Sequence, residues 1–243
     1  MEELLERIAK CVELGKINEK TPYPPAMKGQ PGADELTLQA LNEGISPSDI
    51  LQKGLIVGME RIGVKFKANQ VFVPQVLMSA KAMGTAMNHL KKFFKDGSVQ
   101  RKGTVIIGTV EGDLHDIGKN LVAMMVEGNG YEVIDLGVDV KAEKFEETLE
   151  QHPGAFVCMS ALLTTTMIHM EKINQLLKEK HPEVKTFIGG APVTADFARQ
   201  IGVDYYSDGP QDLVETLNKL SAKNGADCYS KNGDAVTVPT WQS

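Results

Sequence analysis

Up to about residue 95 the apolar positions recur at helical spacing, and after Thr104 they fall into short β-branched runs separated by helical stretches. Leu4, Leu5, Ile8, Cys11 and Val12 share one face of a helix over Glu2 to Leu14, with charges opposite. Prolines and glycines then crowd residues 15–33, a composition no helix or central strand tolerates, so this is a long connection of the functional or mobile kind. Asp34 is expected to cap a second helix to Glu43. Ser46-Pro47 opens a third, carried by Ile50, Leu51, Leu55, Met59, Ile62 and Phe66. A fourth runs from Val71 through Val76, Leu77, Met83 and Leu90 to Phe94. Four apolar stripes of this kind predict a small bundle over residues 1–98, with 99–103 as a linker.

Beyond the linker the pattern predicts strands at Val105 to Thr109, Glu132 to Leu136, Ala155 to Met159, Lys185 to Ile188 and Val203 to Tyr206. The helices between and after them are Asp116 to Asn129, Ala142 to Gln151, Thr165 to Lys180, Thr194 to Ile201 and Pro210 to Ala222. Right-handed crossovers then give a doubly wound, flavodoxin- or Rossmann-like parallel sheet over 104–222 in the order 2-1-3-4-5, with its switch point beside the first strand. Residues 223–243 are polar and read as a loosely ordered tail or one packed against a partner.

Charge and composition narrow the function classes. A formal net charge of -6 argues against broad attraction to nucleic acid or an anionic membrane. No apolar run reaches the roughly 18 residues of a membrane span, and the acidic start is unlike a signal sequence, so the expected compartment is the cytoplasm. Cys11, Cys158 and Cys228 have no metal-ligand spacing and read as free thiols. His89, His152, His169 and His181 are too scattered along the chain to suggest zinc.

The chemistry-bearing stretch is Gly112-Asp113-Leu114-His115-Asp116-Ile117-Gly118, between the first strand and its helix. Open α/β sheets bind ligands at that edge. A phosphate loop is excluded, because Asp113 and Asn120 stand where it needs glycine and a hydroxyl. Taken alone, the stretch also reads as an ordinary turn with Asp116 as helix cap and His115 in solvent. The ends of strands three and four add Ser160-Ala161-Leu162-Leu163-Thr164-Thr165-Thr166 and Gly189-Gly190, which the proposed sheet brings to the same edge. A histidine, a row of hydroxyls and a side-chain-free patch around one crevice suit a large planar or elongated ligand.

These three segments, in this order and register, resemble the cobalamin-binding domain of the corrinoid methyltransferase family, whose pattern is Asp-x-His-x-x-Gly, Ser-x-Leu and Gly-Gly. Gly58-Met59 and Phe72 to Ala80 are similar to the family's helical cap. The likeness covers roughly residues 34–222 and leaves out 15–33 and the tail. It implies cobalamin bound with its nucleotide base displaced and His115 as the lower ligand to cobalt. It also implies Asp113 on the other imidazole nitrogen, with Thr166 completing the relay. By the same resemblance, Gly112, Asp116, Ile117, Gly118, Thr164, Ser160, Leu162, Gly189 and Gly190 line the cofactor site. Met59, Phe72 and Val76 stand where the family covers the upper, methyl-bearing face, a stripe that reads equally as bundle core.

The implied function is a methyl carrier, taking a methyl group onto cobalt(I) and yielding it from methylcobalt(III). The implied partners are a substrate-specific methyltransferase, a second methyltransferase using tetrahydrofolate or coenzyme M, and a reductive activator. At 243 residues the chain is too short for a barrel of about 250 residues of its own beside these domains. The family's donors include methanol, methylamines, betaines and aromatic methyl ethers, with methyl ethers or methylamines favoured by overall likeness. Release of His115 from cobalt(I) is expected to draw in a proton, and a hinge over 95–103 would let the cap move aside. The alternatives are a cobalamin-binding sensor, which would need a DNA-binding element that nothing before residue 34 resembles, and the small subunit of a cobalamin mutase.

Overall fold

The computed structural model describes residues 1–227. Of the tail expected over 223–243, residues 223–227 continue the last helix and the rest lies outside the described residues. The bundle is built of α1 (Glu2–Glu13), α2 (Ala33–Asn42), a continuous rod made of α3 (Pro47–Asp49), a π-helical stretch (Ile50–Leu55) and α4 (Ile56–Lys67), and the long α5 (Val73–Lys95). Ser46 caps the rod by accepting from the Asp49 N–H at 3.3 Å, with Pro47 in the first turn where its missing donor is harmless. The π-helical widening of the third helix was not legible in the apolar spacing. Asp34 is not the cap of α2. Glu35 reaches back to the Gly32 N–H at 2.9 Å, while Asp34 Oδ1 lies 2.6 Å from His89 Nε2 on α5.

The proline-rich connection is tied to the bundle. Lys16 is buried and its ammonium donates to the Thr21 carbonyl at 2.8 Å. The Ala33 and Asp34 N–H groups donate to the carbonyls of Lys16 and Ile17. Glu35 also accepts from the Glu19 N–H. A stretch that sequence composition makes a loop is thus fixed by backbone hydrogen bonds across its base.

The second half is a five-stranded parallel sheet in the order β2-β1-β3-β4-β5, as the alternation predicts. Its strands are β1 (Thr104–Thr109), β2 (Glu132–Asp135), β3 (Phe156–Ser160), β4 (Thr186–Gly189) and the two-residue β5 (Tyr205–Tyr206). The intervening helices are α6 (Ile117–Gly128), α7 (Ala142–Gln151), α8 (Thr164–Met167), α9 (His169–Lys180), α10 (Ala195–Gln200) and α11 (Pro210–Asp227). Two expectations change here. The helix expected over 165–180 is interrupted at Ile168, and β5 starts two residues late because the Asp204 side chain turns to accept from the Thr186 N–H and Lys178.

Strand alternation sorts the core. Val105, Ile107, Cys158 and Phe187 face α6 and α11, and this layer is continuous with the bundle through Met59, Ile62, Leu90, Met125, Tyr131 and Leu217. Ile106, Val157, Met159 and Ile188 face α7 and α9. Bundle and sheet therefore share one hydrophobic core. Beyond the core, Lys67 at the end of α4 pairs with Asp212 and Glu215 of α11. The linker is likewise held, by Arg101 on the Tyr131 carbonyl and Lys102 on Asn218. Ile56 on α4 packs its Cδ1 against the Gly130 backbone ahead of β2. Ile56→Val is expected to cost about 0.5–1.5 kcal/mol and to shift far-ultraviolet and tyrosine-reported unfolding curves together. Separate transitions for bundle and sheet would contradict a shared core.

Candidate functional site

The loop after β1 is braced from several sides before any ligand is considered. The Val110 N–H donates to the Ser160 carbonyl and the Thr109 hydroxyl to the His115 carbonyl at 2.9 Å. Across the edge of β2, the Asp139 carboxylate accepts from the Gly112 N–H at 2.7 Å, and the Asp139 N–H donates to the Asp113 carbonyl. Thr109, Ser160 and Gly189 occupy one rung of the sheet, so the three motif segments leave from the same carboxyl edge.

Asp113 is the hub of this edge. It is fully buried, and each carboxylate oxygen has two donors. Oδ1 accepts from His115 Nδ1 at 2.7 Å and the His115 backbone N–H at 3.1 Å. Oδ2 accepts from the Thr166 hydroxyl at 2.7 Å and the Leu162 N–H at 2.8 Å. Burial alone would favour the neutral acid. The hydrogen bonds from Thr166, Leu162 and His115 outweigh it and hold the carboxyl well below the ordinary carboxylate range. An ionised Asp113 keeps the imidazole proton on Nδ1 and leaves the Nε2 lone pair on the outer side of a ring that is about half exposed, at 51%. The interruption at Ile168 sets Thr166 on a separate first turn, buried against Asp113.

Other expected residues fall around this hub with distinct surroundings. Asp116 occupies the cap position of α6 but does not cap it, its carboxylate instead accepting from the Asn120 side chain at 3.0 Å. Leu114, Ile117, Leu162 and Leu163 present exposed apolar side chains beside His115's loop and its neighbour, an unusual amount of exposed apolar surface for one sheet edge. Thr164 is exposed at the start of α8. Gly118, Ser160, Gly189 and Gly190 line a slot of about 270 Å³ running into the sheet edge between α6 and α11. Its walls include Leu121, Val122, Phe187 and Leu213. Cys158 also lines it, a buried thiol that desolvation pushes far above its ordinary pKa and so away from nucleophilic chemistry.

Two of the three expected cap residues are packed inside the bundle in this structure. Met59 is fully buried against Gly128, at the far end of α6 from the histidine loop, and Val76 is fully buried in the shared core. Both are core residues in this structure because the apolar stripe of the bundle serves its own packing first. Phe72 alone is presented to the surface, 67% exposed at the start of α5. Sequence reading missed Thr109, whose signal was only its position at the end of β1, and Asp139, which lies beyond β2 without a local signature. It also missed Lys119, a buried lysine in the slot wall that bonds Asp135 at 2.5 Å.

Gly190 shows what the slot demands of the backbone. Its φ is +129°, and a Cβ there would stand 1.9 Å from the Ala161 carbonyl oxygen. Gly190→Ala is expected to lower stability by about 1–3 kcal/mol and to narrow the slot, measurable as a lower urea midpoint together with weakened ligand uptake. Unchanged uptake in the folded variant would show that the glycine serves the turn alone.

A parallel-sheet edge carrying an outward imidazole on a buried carboxylate, beside a slot floored by glycine backbone, defines an α/β protein built for a large cofactor. Models of the B12 binding domain match residues 103–216 and, for the helical part, 30–91. Trimethylamine corrinoid protein 1 of Methanosarcina acetivorans is 41% identical over 192 residues, covering 77% of this chain and 89% of that protein. Among solved structures, the methanol:cobalamin methyltransferase complex of Methanosarcina barkeri contains a chain matched at TM-score 0.77 and 29% identity, covering 95% of this chain and 86% of that one. A novel cobalamin-binding protein from Desulfitobacterium hafniense matches at TM-score 0.68 and 25% identity, covering 88% and 97%. The chain belongs to the corrinoid proteins with B12-binding domains, and its cofactor is cobalamin.

The residues present fit that cofactor. The slot is lined by the backbone of Gly118, Gly189 and Gly190, the exposed leucines and Ile117 offer an apolar bed, and His115 holds a ring nitrogen not engaged by Asp113. No described helix is long and apolar enough to cross a membrane.

Proposed function

We propose that the protein is a corrinoid methyl carrier, and the observation that carries the reading is the His115–Asp113–Thr166 relay at the mouth of the slot. Bound cobalamin would supply a cobalt that takes a methyl group from an activated donor and passes it to an acceptor. The chain's own residues do the rest. His115 Nε2 would hold the cobalt, with Asp113 fixing the ring's tautomer and aim through Nδ1 and Thr166 and the Leu162 N–H fixing Asp113 in turn. With Nδ1 committed to the Asp113 carboxylate, Nε2 would be the nitrogen left to hold the group. Ser160, Gly189 and Gly190 would flank the cofactor's nucleotide tail, and Gly112, Asp116, Ile117, Gly118, Leu162 and Thr164 would stand beside its corrin.

The partners are a donor-specific methyltransferase, a second methyltransferase with tetrahydrofolate or coenzyme M, and a reductive activator. Methylamines are the favoured donor class, supported by relatives named as trimethylamine and dimethylamine corrinoid proteins at 40–42% identity, against 29% for the methanol-system chain. Partner methyltransferases would need access to the bound cofactor, which a shift of the bundle on its pinned linker would give. The test is to reduce the cobalamin-loaded protein and offer trimethylamine, methanol or an aromatic methyl ether with the matching methyltransferase, following the cobalt spectrum. Trimethylamine should convert it. Failure with every donor, or radical turnover with adenosylcobalamin, would favour the sensor or mutase alternative.

A further inference from the structure

We infer that Ser207 is a further cofactor-binding residue, its hydroxyl hydrogen-bonding the nucleotide tail of a corrinoid from the α11 side of the slot and so favouring corrinoids that carry such a tail. That role requires the tail to lie in the slot, where the methyl-carrier reading above places it. No sequence motif marks Ser207, which follows the two-residue β5. The sheet ladder nevertheless continues through it. Its N–H donates to the Ile188 carbonyl at 3.0 Å, and its own carbonyl oxygen lies 3.1 Å from where a Cβ on Gly189 would stand. Since Ile188 pairs with Tyr206, Ser207 extends to a fourth position the rung that Thr109, Ser160 and Gly189 form at the carboxyl edge.

Strand alternation gives the direction of the side chain. Ile107, Cys158, Phe187 and Tyr205 share one rung and pack in the layer that faces α6 and α11. Two residues further along each strand, Thr109, Ser160, Gly189 and Ser207 return to that face, and the last three line the slot. Ser160 and Ser207 therefore stand on either side of a residue without a side chain, two strand spacings or about 9–10 Å apart. The Ser207 Oγ is buried and has no hydrogen-bond partner among the described residues. A buried hydroxyl left unpaired is a cost to the ligand-free protein, and alanine would fill the same space without it. Rotation about the Cα–Cβ bond is all the hydroxyl needs to meet an acceptor lying over Gly189. The nucleotide tail is such a ligand, since its ribose, phosphodiester and base carry acceptors along their length. Phe187, Leu121 and Leu213 give the base an apolar wall in the same slot. Ser207 stands three strands from β1 and its histidine loop, which puts it beside the slot and not beside the cobalt ligand.

The test compares cobalamin with cobinamide, a corrinoid that lacks the nucleotide tail, by equilibrium dialysis against the full chain freed of cofactor, read from corrin absorbance. The wild type should prefer cobalamin. Ser207→Ala should weaken cobalamin uptake by about 3- to 10-fold, the value of one neutral hydrogen bond, and leave cobinamide uptake unchanged. The ligand-free variant should keep or raise its urea midpoint, because the hydroxyl it loses had no partner. Its bound cobalamin should keep the wild-type visible spectrum, because His115 is untouched. Full cobalamin affinity in Ser207→Ala, or an equal loss for both corrinoids, would overturn the assignment. Equal wild-type affinity for the two corrinoids would instead take the tail out of the slot, and with it the reading on which the role of Ser207 depends.

Discussion

Asp113→Ala is expected to destabilise the ligand-free protein by about 3–5 kcal/mol, the range for stripping one partner from a buried charged network. The substitution strands four donors. The Leu162 N–H, the Thr166 hydroxyl, and the backbone N–H and Nδ1 of His115 all converge on a fully buried carboxylate. Thr166 retains a second acceptor, the Leu163 carbonyl at 3.0 Å, and Nδ1 can turn to water, but the Leu162 N–H has nowhere to go. Asp113→Asn keeps the shape and one acceptor oxygen while pointing an amide at existing donors, so its cost should be smaller, about 1–3 kcal/mol.

The two variants also differ from wild type in pH dependence. Asp113 has a folded-state pKa lowered beneath its unfolded value of about 3.9. Its contribution is therefore complete above that value and is lost as pH falls through the folded one. The gap between wild type and Asp113→Asn should be constant near neutrality and close below pH 4, read from urea midpoints across pH. Equal midpoints for wild type and Asp113→Ala at pH 7 would refute the hub.

The sheet was legible because its strands alternate so cleanly. Val105 and Ile107 against Ile106 already separate the two faces, and β-branched runs at even spacing admit few topologies. The motif residues were legible because strand ends in a parallel sheet share one edge, so His115, Ser160 and Gly189 had to meet. Less could be read where side chains override local pattern. Asp34 looks like a cap and pairs instead with His89, Met59 looks like a site residue and fills the core, and Asp139 had no local signature for the brace it provides.

His115→Ala should give the opposite profile to Asp113→Ala, with stability within about 0.5 kcal/mol of wild type and the corrin chemistry lost. The side chain is half exposed, and its removal leaves Asp113 three donors, including the backbone N–H of residue 115 itself. Uptake of cobalamin should weaken by at least about 10-fold, and the visible spectrum of what still binds should lack the signature of an imidazole below cobalt. Free imidazole, entering the space the side chain vacates above an intact Asp113, should restore both spectrum and methyl transfer in part. The same addition should do nothing for Asp113→Ala, where the support beneath the ring is missing. If His115→Ala instead unfolds with Asp113→Ala, or binds cobalamin with an unaltered spectrum, the imidazole belongs to the loop's structure and another group must hold the metal.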